Sequence, residues 1–168
     1  MFRALSHAMA FLAVSAAPLW ANDLAAPEGE VILTVTGLIG VTNVEGSAQF
    51  DLKMLEKLDS SIVETSTIWT EGKSVFQGVS LAALVDRLGI EGSNLKATAI
   101  NDYVVEIPLS DAVVGGPIVA YKMDGSTMSV RDKGPLWIIY PYDNNADYRT
   151  EVVYSRSIWQ LDRIEAVN

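Results

Sequence analysis

The side chains best suited to chemistry are aromatic and charged, and they gather at the ends of segments that read as strands. Trp69 closes a threonine-rich run. Asp102 and Tyr103 sit at a turn, and Arg131 and Lys133 precede an apolar run that carries Trp137 and Tyr140. A flat heterocycle needs an aromatic face to stack on, a carboxylate for two adjacent N–H donors and a guanidinium for a carbonyl oxygen. This set supplies all three. Loops at strand ends are also where binding residues concentrate. Composition by itself offers a plainer reading of Trp69 and Trp137 as core residues, because large aromatics are mostly buried. Both readings stand at this level.

Other chemistries are excluded by what the chain lacks. It has no cysteine and a single histidine, His7. His7 lies in a segment that reads as a leader, so the remaining chain cannot build Ser-His-Asp or Cys-His catalysis, His- or Cys-ligated zinc, an iron–sulfur cluster or a disulfide. Ser93 and Lys96 have the spacing of a serine nucleophile with a lysine base, but they stand at a turn entering a strand rather than at a helix start, and a surface turn is the better reading. Asp143, Asn145 and Asp147 imitate the first ligands of a calcium loop. The glycine and glutamate that such a loop needs further on are replaced by Tyr148 and Tyr154, so a solvated loop is expected. No spacing of the acids argues for a catalytic carboxylate pair.

The elements that would position the aromatic set follow from pattern. Of 168 residues, 49% are hydrophobic, which is enough for a sizeable core. Residues 1–21 read as a secretory signal peptide, with Arg3 as the basic start, an apolar run at 8–17 and a small residue, Ala21, at the cleavage point. The apolar run is shorter than a membrane span, which takes about 20 residues. Residues 22–168 are then one domain. The formal charge of -9 becomes -10 when Arg3 is removed, and such acidity makes nucleic acid and anionic membrane surfaces poor partners. Strands are expected at 30–41 with a break at Gly37 or Gly40, at 61–70, at 95–100 and 103–107 around the Asn101-Asp102 turn, at 118–123 and at 127–130 across an Asp124-Gly125 turn. The apolar run 136–140 reads as a central buried strand. Helices are expected at 51–58 and at 79–88, the second capped by Ser80 and stopped by Gly89. Residues 151–154 and 157–167 read as extended or mixed. Few helices among many strands make an α+β fold.

Four stretches, taken in order, resemble one family. Residues 76–84 (FQGVSLAAL) look like the F/W-x-G-V-x-L-x-x-L segment of the sulfite-oxidase-type molybdopterin-binding domain. Residues 103–112 (YVVEIPLSDA) are similar to its Y-x-x-x-I-P-L-x-x-A. Residues 119–125 (VAYKMDG) and 131–136 (RDKGPL) look like its L-A-Y-x-x-N-G and R-D-x-G-x-P-L. The resemblance spans about residues 60–143. It implies mixed β-sheets with short helices and a pterin cleft at the strand ends.

Two departures bear on function. The family's enzymes hold molybdenum through a cysteine on the strand matching residues 61–70, where this chain reads Thr65-Ser66-Thr67-Ile68-Trp69-Thr70. Thiolate is the soft ligand such a metal wants. Where the enzymes carry an arginine for the cofactor phosphate, this chain has Trp137, and Lys133 stands where a histidine is often found. The short, exported, cysteine-free members of the fold resemble periplasmic pterin-binding proteins. That resemblance implies a reduced, unphosphorylated pterin as ligand and a regulatory role without catalysis. The partner it implies is the periplasmic part of a membrane-bound enzyme that makes or degrades cyclic di-GMP. In that reading Trp69 and Tyr103 form ring walls, Asp102 takes the pterin amino and ring N–H groups, Arg131 faces the carbonyl side, Trp137 stacks or lines the floor, and Lys133 keeps an anion contact. Two alternatives remain: a molybdopterin-dependent oxidoreductase without the cysteine ligand, and an interaction module whose cleft has become a protein surface.

Overall fold

The computed structural model describes residues 24–168, so the leader at 1–21 and its cleavage after Ala21 lie outside the described residues. The strands are β1 (Leu33–Gly37), β2 (Ala48–Phe50), β3 (Ser60–Ser66), β4 (Lys73–Ser80), β5 (Asn94–Ala99), β6 (Val104–Pro108), β7 (Ile118–Met123), β8 (Ser126–Thr127), β9 (Leu136–Ile139) and β10 (Trp159–Val167). The helices are α1 (Leu52–Lys57), α2 (Leu81–Leu88) and α3 (Glu151–Arg156). The result is a mixed sheet with a few short helices, an α+β arrangement.

The sheet runs β2-β1-β10-β9-β7-β4-β3, with β5 added to β10, β6 to β5 and β8 to β7. Among the described residues only the β1–β10 pair is parallel; the other pairs are antiparallel. Strand β10 is the hub. Leu161 pairs with both Leu136 of β9 and Ala99 of β5, so those strands lie on opposite edges of β10. Further along, β1 takes over from β9, with Thr34 opposite Arg163. Leu136, Trp137, Ile138 and Ile139 are all fully buried, as a central strand covered on both faces requires.

Local chemistry explains the boundaries. β1 stops at Gly37, whose φ of 85° is a left-handed conformation and which lies against the backbone of Ala166. α1 is capped by Asp51, which accepts from the Met54 N–H at 2.9 Å and also from Glu28 N (2.9 Å) and Gly29 N (2.8 Å). α2 is capped by Ser80, ends on left-handed Gly89 and buries Leu81, Leu84 and Leu88. α3 is capped by Thr150, whose hydroxyl accepts from Val153 N at 3.3 Å.

Several expectations need correcting. β4 was not foreseen, and residues 79–80 belong to it rather than to α2. Its alternation is inverted at one step, with Ser74 buried and Val75 exposed, which hides the strand from a hydrophobicity pattern. β2 is also additional. β3 ends at Ser66, so Trp69 sits in a turn and not on a strand. The strand expected at 127–130 stops at Thr127 and gives way to a 3-10 turn, Val130–Asp132. Residues 151–156 form a helix, not an extended segment.

Two predictions follow from this framework. A Cβ at Gly78 would meet Ala120 Cα at 2.6 Å, so Gly78→Ala should destabilise the fold by about 3 kcal/mol, read as a lower urea midpoint with an unchanged slope. Asp51 and Asp143 have carboxyls held below the usual range, Asp51 first by the Gly29 and Met54 amides and Asp143 by the Ser66 hydroxyl and amide. Each therefore adds stability that is present above the unfolded value of about 4 and is lost as pH falls through the depressed folded value. Acid unfolding of Asp51→Asn should show a shallower fall below that pH than the parent chain, and an unchanged slope would contradict the assignment.

Candidate functional site

A cavity of about 540 Å³ opens between the turn after β3, the start of β10, α3 and the β5–β6 turn. Its walls carry Trp69, Tyr103, Tyr154 and Trp159, with Asn101, Glu151, Ser157 and Gln160 as polar groups. The volume lies within the range of small-molecule sites, about 300–1,000 Å³, and so does the character of a largely apolar wall with a few polar points.

Trp69 is held by hydroxyls. Thr67 Oγ1 accepts from both Trp69 N and Thr70 N at 3.0 Å, closing the turn. The turn is tied to the loop after β9 by Asp143, which accepts from Ser66 N at 2.9 Å and Ser66 Oγ at 2.6 Å. Asp143 N in turn donates to Thr65 Oγ1 at 3.1 Å. Placed this way, the Trp69 ring meets Trp137, Tyr154 and Trp159 edge-on, each with centroids 5.8 Å apart. These are favourable edge-to-face geometries.

Trp159 owes its exposure to a bulge. It pairs with Trp137, and Leu161 pairs with Leu136, so Gln160 is an extra residue in β10. Gln160 has φ 54°, a left-handed conformation. Its N–H donates to Lys133 O at 3.0 Å, and its carbonyl accepts from Ile100 N at 2.9 Å. Strict alternation would put Trp159 and Leu161 on the same face; the bulge instead leaves Trp159 39% exposed and Leu161 fully buried. Behind the wall, Trp137 Nε1 donates to Ser157 O at 3.1 Å, and the Tyr142 and Ser157 hydroxyls are hydrogen-bonded to each other. Burial pushes the Tyr142 phenol up to about 12, so it stays neutral at any physiological pH.

The residues expected from sequence separate into two groups. Trp69 and Tyr103 line the cavity together. Trp137 lies beneath them with no exposed surface, so it supports the floor but offers no face for stacking. Asp102 is outside the lining: its left-handed φ of 65° accompanies a carboxylate that reaches Arg163 Nη2 at 2.7 Å. Arg131 is exposed in the 3-10 turn and does not line the cavity. Lys133 places its Nζ 5.5 Å from the Trp137 ring centroid, a cation–π contact with the floor rather than a group in the opening. Tyr154, Trp159 and Glu151 complete the wall and were not foreseen. A legible signal existed for α3, where Thr150 stands as an N-cap before an acidic first turn.

The end of β3 does not fit a molybdenum centre. The chain has no thiol. The hydroxyls of Thr65, Ser66 and Thr67 are already occupied by internal hydrogen bonds, and hard oxygen donors do not replace a soft ligand. Among the described residues, no group of three His, Cys, Asp or Glu side chains converges as a metal site. A planar organic ring asks only for the aromatic wall and a few polar points.

No family model and no curated protein matches the chain. Its fold is similar to that of the sulfane dehydrogenase SoxCD from Paracoccus pantotrophus, with a TM-score of 0.57 and 16% identity over 80% of this chain. The match covers 37% of the SoxCD chain, so this protein corresponds to only part of it. At that identity the likeness is one of fold alone.

Proposed function

We propose that this chain is a periplasmic pterin-binding protein, a regulator without catalysis of its own that reports reduced, unphosphorylated pterin to a membrane-bound cyclic di-GMP enzyme. The observation that carries the ligand class is the cavity walled by Trp69, Tyr103, Tyr154 and Trp159. Such rings offer faces and edges to a bicyclic heterocycle, and a cavity of about 540 Å³ has the volume of a small-molecule site. No lysine or arginine lines the cavity, which favours an uncharged ring over a phosphorylated cofactor. The partner and the compartment rest on the resemblance of the motifs and on the reading of residues 1–21.

The energetics are sufficient. A Kd of about 1 μM requires about -8 kcal/mol. Aromatic contacts supply about 0.5–1.5 kcal/mol each beyond area burial, and hydrogen bonds to a charged group about 1.5–3 kcal/mol. Burial of the ring faces supplies the remainder.

Titration with reduced pterins should give saturable quenching of tryptophan fluorescence at micromolar concentration. Trp159→Ala should weaken binding by about tenfold while leaving the fold intact, because that ring is the most exposed of the wall indoles and its loss opens no deep cavity. Absence of saturable quenching in the folded wild-type chain would end this reading. A second variant, Thr67→Val, removes the acceptor of two turn amides and should weaken binding by about two- to tenfold with an unchanged far-UV spectrum. Unchanged affinity in Thr67→Val would show that the turn does not position Trp69 for the ligand.

A further inference from the structure

Within the cavity the charged lining residue is Glu151. It stands on α3 with Tyr154 and Ser155, the i+3 and i+4 positions, so one helix face presents all three to the opening. Among the described residues, no hydrogen bond or ion pair engages its carboxylate. Three bases of this region point elsewhere, and Arg149, exposed just before α3, makes no ion pair with Glu151. Arg156 of the same helix binds Asp111 at 2.9 Å, Arg163 binds Asp102 and Asp162, and Lys133 lies over Trp137. The other polar points are also partly used: Gln160 Nε2 donates to Val130 O at 2.7 Å, and Asn101 Oδ1 accepts from Tyr103 N at 3.2 Å. Glu151 is exposed at the mouth of the cavity, and an acceptor-only carboxylate with no partner in the protein, set beside aromatic rings, is placed to accept from a ligand's N–H donors.

We infer that Glu151 is the specificity-determining residue of the cavity, accepting from adjacent N–H donors on the edge of a flat heterocycle. The inference rests on the pterin reading and sharpens it. The ligand class becomes a stacked ring with an amino group beside a ring N–H, uncharged or cationic along that edge. A ring with a carbonyl in place of the amino group meets the carboxylate oxygen-to-oxygen and is rejected, as is an anionic phosphate ester close to it. This assigns to Glu151 the role that the sequence reading gave to Asp102.

The test compares 6-methyltetrahydropterin with the reduced 6-methyllumazine that carries a 2-oxo group where the pterin carries its amine, both titrated against the purified protein. The wild type should prefer the pterin by about tenfold or more. Glu151→Gln should bind the pterin about 10- to 100-fold more weakly and the lumazine with little change, because the amide keeps one acceptor and adds a donor. The preference should then collapse toward one, and Glu151→Asp should retain its direction. The ratio of the two affinities is insensitive to any partial unfolding of a variant, since both ligands read the same folded fraction. An unchanged ratio in Glu151→Gln overturns the inference, and so does a collapse produced by Asp102→Asn instead. Equal affinity of the wild type for both rings overturns it while pterin binding stands. Binding of neither ring overturns the pterin reading and the inference together.

Discussion

Three indoles in mutual edge contact are the constraint on which the site depends. Trp69 lies 5.8 Å from both Trp137 and Trp159, and those two are 6.3 Å apart. Their burial is graded: Trp137 is closed off, Trp69 is half-buried and Trp159 is exposed. The grading comes from the backbone. Trp137 and Trp159 face each other across the β9–β10 ladder, so ordinary pleating would treat them alike. The extra residue at Gln160 puts Trp159 on the Trp137 face and not on the face of Leu161, and at the start of β10 that ring reaches the surface while its partner stays in the core. A left-handed glutamine costs of order 1 kcal/mol, and strain of this kind persists where the surroundings over-determine it. Here three hydrogen bonds hold Gln160 in place, to Lys133, Ile100 and Val130.

The same logic explains the polar groups. Around Trp69 nearly every hydroxyl serves to fix the turn or to bind it to Asp143, and a fixed turn reduces the ordering cost of binding. Around Trp137 the Ser157 carbonyl and hydroxyl satisfy the indole and the Tyr142 phenol, so the floor is neutral and fully bonded. Polar capacity facing the opening is correspondingly small. In the proposed reading, broad aromatic walls and one carboxylate without a protein partner divide the work, affinity coming from ring area and selectivity from the edge.

Much of the fold was legible because its signals are local. The leucines of α2 with Ser80 and Gly89 at its ends, the apolar run at β9, and the Asn101-Asp102 and Asp124-Gly125 turns each state their structure within a few residues. The site was half legible. Trp69 and Tyr103 could be picked as candidate wall residues because both stand where expected strands end or begin. Asp102 could not be placed, because its direction is set by a left-handed turn and by Arg163, which is 61 residues away. Trp159 and Glu151 were hidden for different reasons. A bulge shifts the period of β10 at the position where Trp159 would declare its face, and α3 is only six residues long, too short for a hydrophobic period to show. Residues exposed by an irregularity cannot be found by a rule that reads regularity.

The relation between fold and ligand can then be argued from what each part of the scaffold requires. A thiolate-held metal depends on one soft atom at the end of β3, and without that atom the end of the strand is closed by its own hydroxyls. Ring binding depends instead on the indole set, whose members come from the turn after β3, from β9 and from β10. Those residues sit on or beside the most buried strand of the sheet, so the stacking surface is maintained by the same packing that stabilises the core. This packing needs no metal at the end of β3, because Thr65 is fully buried and its hydroxyl is satisfied by Asp143 N and Ser66 O. Under the proposed reading, a scaffold of this kind offers its aromatic slot to a planar ring without calling on a metal at the end of β3.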